Sequence, residues 1–280
     1  MKNTIEVTIT FTGDTTDETS EILIAEMSTL PYNTFQEDNN RLLAYIDSDK
    51  FDEEALKNIY SLRQHPDTIK YSYRKIEEKN WNEEWEKNFE AIVVEDKCVI
   101  YAPFHQNPPQ AQYEIEIMPK MSFGTGHHAT TYLMIQYMFA MDFTDKKVLD
   151  MGCGTAVLAI LAEKLKAALC VAIDNNDWAY KNAKENVKRN GCVHTEVKLG
   201  HAETIKGESF DIILANINRN VLLEDIPTYV NALTPGGELL LSGILQEDFE
   251  KIHSLALQSG LSFHGKLERN NWNAARFTKK

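Results

Sequence analysis

Two glycines and two carboxylates between residues 150 and 174 are the groups in this chain best suited to bind a nucleoside. Gly152 and Gly154 follow an apolar run that is typical of a buried strand. Because glycine has no Cβ, its backbone can approach a ligand closely and adopt torsions that other residues avoid. Asp150 precedes this turn, and Asp174 ends the next apolar run, about 20 positions after the glycines, where a carboxylate can bind both hydroxyls of a ribose. The spacing therefore predicts a cradle for a nucleoside cofactor.

The residues around the glycines indicate a nucleoside without phosphate. The dinucleotide fingerprint requires a third glycine where this chain has Val157, and no Gly-Lys-Ser/Thr follows as in a phosphate-binding loop. The loop has two carboxylates and no lysine or arginine, so S-adenosylmethionine fits best. Its sulfonium is positive, and its carboxylate can lie at a helix N-terminus. The alternative is an ordinary glycine turn with a solvated aspartate at the end of each strand.

A second glycine-containing loop precedes this cradle by one predicted helix. Gly124 and Gly126 follow Phe123, and Thr130 and Thr131 offer hydroxyl groups where the helix is expected to begin. A flexible loop at this place can fold over a bound cofactor. We therefore expect the loop to act as a lid on the cofactor.

His127 and His128 in the same loop raise the questions of a metal site and of a general base. Side chains of adjacent residues on an extended backbone diverge, and the sequence offers no third ligand at a spacing typical of zinc. We therefore predict no metal site. Both histidines are interpreted as residues that shape the loop through hydrogen bonds, with a general base as the alternative.

Asn216 ends another predicted strand and is the candidate catalytic residue. In an open parallel sheet, ligands bind beyond the carboxyl ends of the strands. From there the Asn216 carbonyl could accept a hydrogen bond from an incoming amine and direct its lone pair to a methyl group. The alternative is an asparagine that only terminates a strand in a turn. His201, after the preceding strand, lies where the adenine edge is usually bound.

The elements that must position these groups alternate between strand and helix from residue 113 onward. Strands are predicted at 147–151, 169–173, 194–199, 210–216 and 238–243, helices begin near 132, 155, 176, 219 and 246, and 261–268 and 273–278 form a closing antiparallel pair. This alternation predicts an α/β fold, a doubly wound Rossmann-like domain over 113–280.

Residues 1–78 have a different pattern, in which strand and helix signals follow the order β-α-β-β-α-β of a small α+β ferredoxin-like domain. Its helices are predicted at 16–30 and 51–62. The segment carries 8 Lys or Arg against 16 Asp or Glu and lacks the glycine-aromatic strand motif of an RNA-reading sheet. It is therefore interpreted as a domain that binds protein. Residues 79–112 are predicted to connect it to the second domain through two short strands and a helix with an aromatic stripe of Trp81, Trp85 and Phe89.

The composition bounds the remaining possibilities. The chain has 280 residues, 43% of them hydrophobic, and a net charge of −13, which disfavours nucleic acid and favours a basic partner. Four cysteines without Cys-x-x-Cys spacing predict reduced thiols of a cytoplasmic protein. The alternating N-terminus is typical of a strand and not of a signal peptide, and no apolar run reaches membrane-spanning length.

The motifs together resemble those of the ribosomal protein L11 methyltransferases, a family of class I S-adenosylmethionine-dependent enzymes, over nearly the full length. The resemblance lies in the acidic first domain, the tryptophan connector and four segments: Phe-Gly-Thr-Gly-His-His-Ala-Thr-Thr at 123–131, Asp-Met-Gly-Cys-Gly-Thr-Ala at 150–156, Ala-Asn-Ile at 215–217 and Pro-Gly-Gly-Glu-Leu-Leu-Leu-Ser-Gly-Ile at 235–244. This chain departs from the family at His127, Ala129 and Ala156, where threonine, proline and glycine are usual.

The resemblance implies a monomeric enzyme that methylates lysine side chains and the α-amino group of a basic ribosomal protein, which its first domain grips. It also implies cofactor contacts at Thr131, Gly152, Asp174 and Asn216. A free lysine has a pKa of roughly 10.4, so the acceptor must lose its proton before attack, and burial favours that loss. We see no dedicated base in the sequence.

Three alternatives stay open at this point. A glutamine or base-nitrogen methyltransferase would carry Asn/Asp-Pro-Pro-Tyr/Phe after the fourth strand, where this chain has Asn-Ile-Asn-Arg at 216–219. In a small-molecule methyltransferase, the acidic first domain would have no evident function. A ribosome assembly factor could use the same fold as a scaffold without catalysis.

Overall fold

The computed structural model describes residues 4–12, 17–38, 40–76, 86, 89–120 and 122–280. The chain divides into two compact units, Met1–Lys87 and Asn88–Lys280. Trp81 and Trp85 of the predicted aromatic stripe lie outside the described residues. In the described part of the chain, no helix is long and apolar enough to cross a membrane.

The first unit has one antiparallel sheet with helices between its strands. In chain order the elements are β1 Thr4–Phe11, α1 Asp17–Met27, β2 Tyr32–Asp38, β3 Arg41–Asp47, α2 Glu53–Lys57, α3 Tyr60–Gln64 and β4 Ile69–Ile76. The strand order is β2-β3-β1-β4, and every neighbouring pair is antiparallel. Alternate residues of β1, such as Val7 and Ile9, are fully buried in the core of the unit.

The single helix predicted over 51–62 is wrong, because the chain leaves helical geometry between α2 and α3. Ile59 has φ −58° and ψ 129°, which is extended backbone. The break lets Leu56, Ile59 and Leu62 all reach the core, where each is at most 6% exposed. The first helix also ends earlier than predicted, at Met27.

The second unit begins with a small three-stranded sheet, made of β5 Ile92–Val94, β6 Cys98–Tyr101 and β7 Tyr113–Glu116. The first pair is antiparallel and the second is parallel. Two of these strands come from the segment predicted to connect the domains.

The main sheet of the second unit has seven strands in the order β10-β9-β8-β11-β12-β14-β13. The strands are β8 Lys147–Met151, β9 Leu169–Asp174, β10 Thr195–Leu199, β11 Phe210–Asn216, β12 Leu233–Leu245, β13 Leu261–Arg269 and β14 Trp272–Lys279. β8 to β12 are parallel, and β14 is antiparallel to both of its neighbours. The predicted doubly wound α/β fold is thus confirmed for this unit.

Helices cover both faces of this sheet. They are α4 Ala129–Met138, α5 Val157–Lys164, α6 Asp177–Arg189, α7 Arg219–Ala232 and α8 Phe249–Gln258. Apolar residues of α4, α5 and α6 pack with Val148 and Leu214 on one face, whereas those of α7 and α8 pack with Leu149 and Ile213 on the other. Because side chains alternate along a strand, the central strands are buried on both sides and form a rigid floor for the site.

Candidate active site

The carboxyl ends of β8, β9 and β11 meet at one edge of the main sheet. Met151 pairs with Ile173 on one side and with Ala215 on the other. Gly152, Asp174 and Asn216 directly follow these three paired residues along the chain. The register therefore brings three predicted site residues to the same edge. A cavity of about 640 Å³ opens there.

Five of the predicted site residues line this cavity: Phe123, Gly152, Gly154, Asp174 and Asn216. The remaining four, Thr131, Asp150, Gly124 and Gly126, are not among the residues that line the cavity.

The turn after β8 requires glycine at both of its glycine positions. Gly152 has φ +68° and Gly154 has φ +54°, torsions that L side chains rarely adopt. A Cβ at Gly152 would overlap the side chain of Ile217, and a Cβ at Gly154 would overlap the carbonyl oxygen of Phe123. The turn therefore passes close to β11 and to the loop before α4, with no room for a side chain.

The carboxylate of Asp174 is held by backbone donors on both sides. Its Oδ2 accepts the N–H of Gly154 and its Oδ1 accepts the N–H of Asn176, each at 2.9 Å. Each carboxylate oxygen has a second lone pair. Asp174 is therefore fixed against the glycine turn and can still accept two hydrogen bonds from the hydroxyls of a ribose.

Among the described residues, only one of the two polar groups of the Asn216 side chain has a hydrogen-bond partner. Its Nδ2 donates to Oγ1 of Thr131 at 3.4 Å, and its buried Oδ1 accepts no hydrogen bond from the residues that the structure describes. An unpaired buried carbonyl costs about 1–3 kcal/mol.

Thr131 and Asp150 are buried residues that support the site without lining the cavity. Thr131 is fully buried and orients Asn216 through its hydroxyl. Asp150 is 2% exposed, and its Oδ2 accepts the N–H of Ala159 in α5 at 3.1 Å. Burial, with a smaller contribution from the charge of Asp174, raises the pKa of the Asp150 carboxyl to about 7.

Gly124 and Gly126 shape the loop before α4. Their φ angles are +100° and +93°. A Cβ at Gly124 would lie 2.7 Å from Oγ1 of Thr155, and one at Gly126 would lie 2.8 Å from Cδ1 of Ile100. Both glycines let the loop pack closely on its neighbours.

His128 caps the N-terminus of α4 and lines the cavity. Its Nδ1 accepts the N–H of Thr130 at 3.3 Å, and its ring lies against the rings of Phe123 and Trp272, with centroids 5.2 and 4.8 Å away. Burial lowers the pKa of the His128 imidazole. The histidine is therefore a neutral hydrogen-bond acceptor at pH 7, which agrees with the loop-shaping role expected from the sequence.

His127 points elsewhere. Its Nδ1 lies 3.2 Å from Oγ1 of Thr125, and its ring packs edge-on against Phe89 at 4.4 Å. The described residues contain no group of three His, Cys, Asp or Glu that could hold a metal ion.

Cys153 lies between the two glycines of the turn and is 6% exposed. Burial, followed by the nearby charges of Asp150 and Asp174, raises the pKa of its thiol well above the usual value. The four cysteines of the chain are free thiols, and three of them are buried.

Sequence reasoning missed several groups that line the cavity, above all Trp272, Ile217 and Ser122. Trp272 begins β14, which reaches the site only because β14 inserts between β12 and β13. The sequence pattern shows a closing antiparallel pair but not the strand beside which it packs. Three acidic residues that line the cavity were also missed: Glu203, Glu224 and Asp225.

The residues present fit S-adenosylmethionine, the cofactor predicted from the sequence. Asp174 has free lone pairs for the ribose, the glycine turn leaves room for a ligand backbone, and Asn216 has an unpaired carbonyl. None of the described residues that line the cavity is a lysine or an arginine, as expected for a ligand without phosphate.

Comparisons with known proteins show the family of this chain. The model of the family described as "Ribosomal protein L11 methyltransferase (PrmA)" matches residues 4–280. A relative of that name from Phocaeicola vulgatus is 44% identical over 276 residues, which cover 97% of this chain and 98% of the relative. One from Chlorobaculum tepidum is 40% identical over 239 residues, which cover 81% of each chain.

A solved structure shows the same likeness in three dimensions. The crystal structure of a ribosomal protein L11 methylase from Lactobacillus delbrueckii subsp. bulgaricus superimposes with a TM-score of 0.64 at 26% identity. The match covers 69% of this chain and all of the other. The chain is therefore an S-adenosylmethionine-dependent methyltransferase, and it belongs to the ribosomal protein L11 methyltransferase family.

Proposed function

We propose that this enzyme transfers methyl groups from S-adenosylmethionine to amino groups of ribosomal protein L11, both lysine side chains and the N-terminal amine. The observation that carries the proposal is the unpaired Asn216 carbonyl at the edge it shares with Gly152 and Asp174. The names of the relatives supply the acceptor protein.

The cofactor contacts in this proposal follow from the groups on the cavity wall. Asp174 would bind the ribose hydroxyls, and the backbone of Gly152 and Gly154 would hold the rest of the ligand. Phe123 covers it from the loop before α4. When bound, S-adenosylmethionine supplies a methyl group activated by a positively charged sulfur.

Asn216 acts on the acceptor amine. Its carbonyl accepts an N–H of the amine and so orients the nitrogen lone pair, while Thr131 keeps the amide from rotating. Positioning two reactants in line is worth a large part of a typical rate acceleration.

The acceptor must reach the cavity as a neutral amine. A lysine ammonium is disfavoured where water is excluded, and the rings of Phe123, His128 and Trp272 supply an apolar wall. The proton leaves to water through the open mouth of the cavity, because the neutral His128 already uses Nδ1 to accept from Thr130.

The charge of the chain supports a basic acceptor. Residues 1–78 carry 16 acidic against 8 basic residues, and the whole chain has a net charge of −13. Opposite charges speed encounter between proteins. We assign substrate recognition to this first domain, connection to residues 79–112 and catalysis to residues 113–280, in a cytoplasmic monomer.

The test is transfer of labelled methyl groups to purified ribosomal protein L11. We expect label on lysine side chains and on the N-terminal amine, located by mass spectrometry of peptides. L11 whose amines have been acetylated is the control and should take up no label. Label on glutamine, or equal label on acetylated L11, would contradict an amine acceptor. Cofactor binding without any transfer to L11, free or in the large subunit, would contradict L11 as substrate.

A further inference from the structure

The loop before α4 is tied to the glycine turn by one residue, Thr155. Its N–H donates to the carbonyl of Phe123 at 2.9 Å, and its hydroxyl donates to the carbonyl of Gly124 at 2.6 Å. Thr155 is fully buried and does not line the cavity. Two of its polar groups thus hold Phe123, which is one of the residues that line the cavity, and the glycine after it.

The third polar group of Thr155, its carbonyl, is held from α6. Nδ2 of Asn186 donates to it at 3.1 Å, while Oδ1 of the same side chain accepts the N–H of Met118 at 2.9 Å. Asn186 is fully buried. One amide therefore joins the glycine turn to the segment from which the loop departs.

A second asparagine, Asn190 at the C-terminal cap of α6, makes a similar contact. Oδ1 of Asn190 accepts the N–H of Glu116 at 3.0 Å, and its Nδ2 donates to the carbonyl of Glu116 at 2.8 Å. Asn186 and Asn190 thus bind the backbone on either side of Ile117. The start of the loop is therefore fixed to α6, and its tip is fixed to Thr155.

We propose that Thr155 is a positioning residue for the methyl-transfer site, whose hydroxyl keeps Phe123 over the cofactor. Removing the hydroxyl leaves the buried carbonyl of Gly124 without its donor, so the position of Phe123 seen here becomes less populated and the cofactor binds more weakly. The inference rests on the cofactor part of the proposed function and is independent of the acceptor.

The matched variants are Thr155→Val, which keeps the shape of the side chain without its hydroxyl, and Thr155→Ser, which keeps the hydroxyl. Calorimetric titration of the full chain with S-adenosylhomocysteine should show a Kd about tenfold higher for Thr155→Val and within about twofold of the parent for Thr155→Ser. The KM for S-adenosylmethionine should rise by the same factor in Thr155→Val, with kcat within about threefold.

Thr195→Val is the control, because it removes a threonine hydroxyl that donates to Glu163 at 2.5 Å, away from the cavity. It should leave the Kd unchanged even if its melting temperature falls. A Thr155→Val enzyme that binds like the parent would overturn the proposal, whatever its melting temperature.

Should Thr155→Val not fold, Asn186→Asp takes its place, because it loses the donor to Thr155 but keeps an acceptor for Met118. A weaker Kd supports the proposal and an unchanged one overturns it. A parent enzyme that fails to bind S-adenosylhomocysteine would instead contradict the proposed function.

Discussion

Asn216 and Thr131 form a pair in which the amide nitrogen of Asn216 is hydrogen-bonded, whereas the amide oxygen has no partner among the described residues. Nδ2 of Asn216 donates to the hydroxyl of Thr131 at 3.4 Å, and Oδ1 is without a partner in the described part of the chain. The pair lies 85 positions apart in sequence and meets because α4 packs beside the end of β11. In the proposed function, this pair joins a positioning residue, Thr131, to the residue that orients the acceptor amine, Asn216.

Asn216→Ala should reduce kcat about 100-fold or more, because the amine loses the group that orients it. The Kd of S-adenosylhomocysteine should change less than about threefold, because Asp174 and the glycine turn remain. Single-turnover methyl transfer and calorimetry measure the two quantities. Thr131→Val should also lower kcat, whereas Thr131→Ser should not. A variant of Asn216 that retains kcat and loses cofactor affinity would contradict the assigned role.

Asp174→Asn should weaken binding of S-adenosylhomocysteine about 100-fold. The amide NH₂ of the variant would replace one carboxylate oxygen, and it would face the backbone N–H of Gly154 or of Asn176, so two donors would meet. The variant also loses the charge, and hydrogen bonds to a charged group are worth about 1.5–3 kcal/mol each. The control is Asp177→Asn, three positions after Asp174, which removes an exposed ion pair with Lys181. Calorimetry should find no change there, and equal losses in both variants would count against a direct cofactor contact.

Gly152→Ala should abolish cofactor binding and destabilise the second unit. The new Cβ meets Ile217 at a φ of +68°, where the left-handed conformation alone costs about 1–2 kcal/mol. Gly207→Ala is the control, because Gly207 has φ +84° with open space around its Cβ position. Urea unfolding should show a smaller loss for Gly207→Ala, and the double variant Gly152→Ala/Ile217→Ala should recover part of the stability. Equal losses of stability in the two variants would mean that the contact between the new Cβ and Ile217 does not explain the need for glycine at position 152.

Cofactor affinity should fall as the pH drops through the folded-state pKa of His128, which burial holds below the usual value of about 6.5. The contribution of this histidine to folding stability is present above its unfolded pKa and is likewise lost as the pH falls through the folded pKa. A protonated Nδ1 can no longer accept the N–H of Thr130. Titrations between pH 8 and 5 should show this loss in the parent and a flatter profile in His128→Asn, which keeps an N-cap acceptor. Parallel profiles would exclude His128 as the group that titrates.

Asp150→Asn should gain stability relative to the parent as the pH rises. Burial raises the pKa of Asp150 to about 7, so its contribution is present below the unfolded pKa of roughly 3.9 and is lost as the pH rises through 7. The amide still accepts the N–H of Ala159 and never ionises. Urea unfolding at pH 5 and pH 8 should therefore show a difference in favour of the variant that grows with pH. A constant difference would mean that Asp150 does not titrate in this range.

The bounds of three strands in the main sheet illustrate what a sequence pattern can predict about this fold. Strands 147–151 and 210–216 have the predicted bounds, because a buried parallel strand is a continuous apolar run with clear ends. β12 was predicted at 238–243 and extends over Leu233–Leu245, since Pro235 and the following glycines read as a turn. The pairing with β11 shifts register there, between Phe210 and Ile212, and allows the longer strand.

Contacts between distant segments could not be predicted in the same way. The roles of Gly152 and Asp174 follow from local spacing, whereas Trp272 and Thr155 depend on which strands and loops become neighbours. Thr155 carries no sequence signal of its own, because a threonine after two glycines is compatible with many turns. Its importance appears only when the partners of all three of its polar groups are seen together.

The buried thiol of Cys153 has a consequence for the durability of the catalyst. A sulfonium is an alkylating agent, and a thiolate is among the strongest nucleophiles that a protein offers. Cys153 lies between two glycines that line the cavity, and burial together with two adjacent carboxylates keeps its sulfur protonated. Burial and the raised pKa of the thiol therefore both disfavour attack of this sulfur on the cofactor over repeated turnovers.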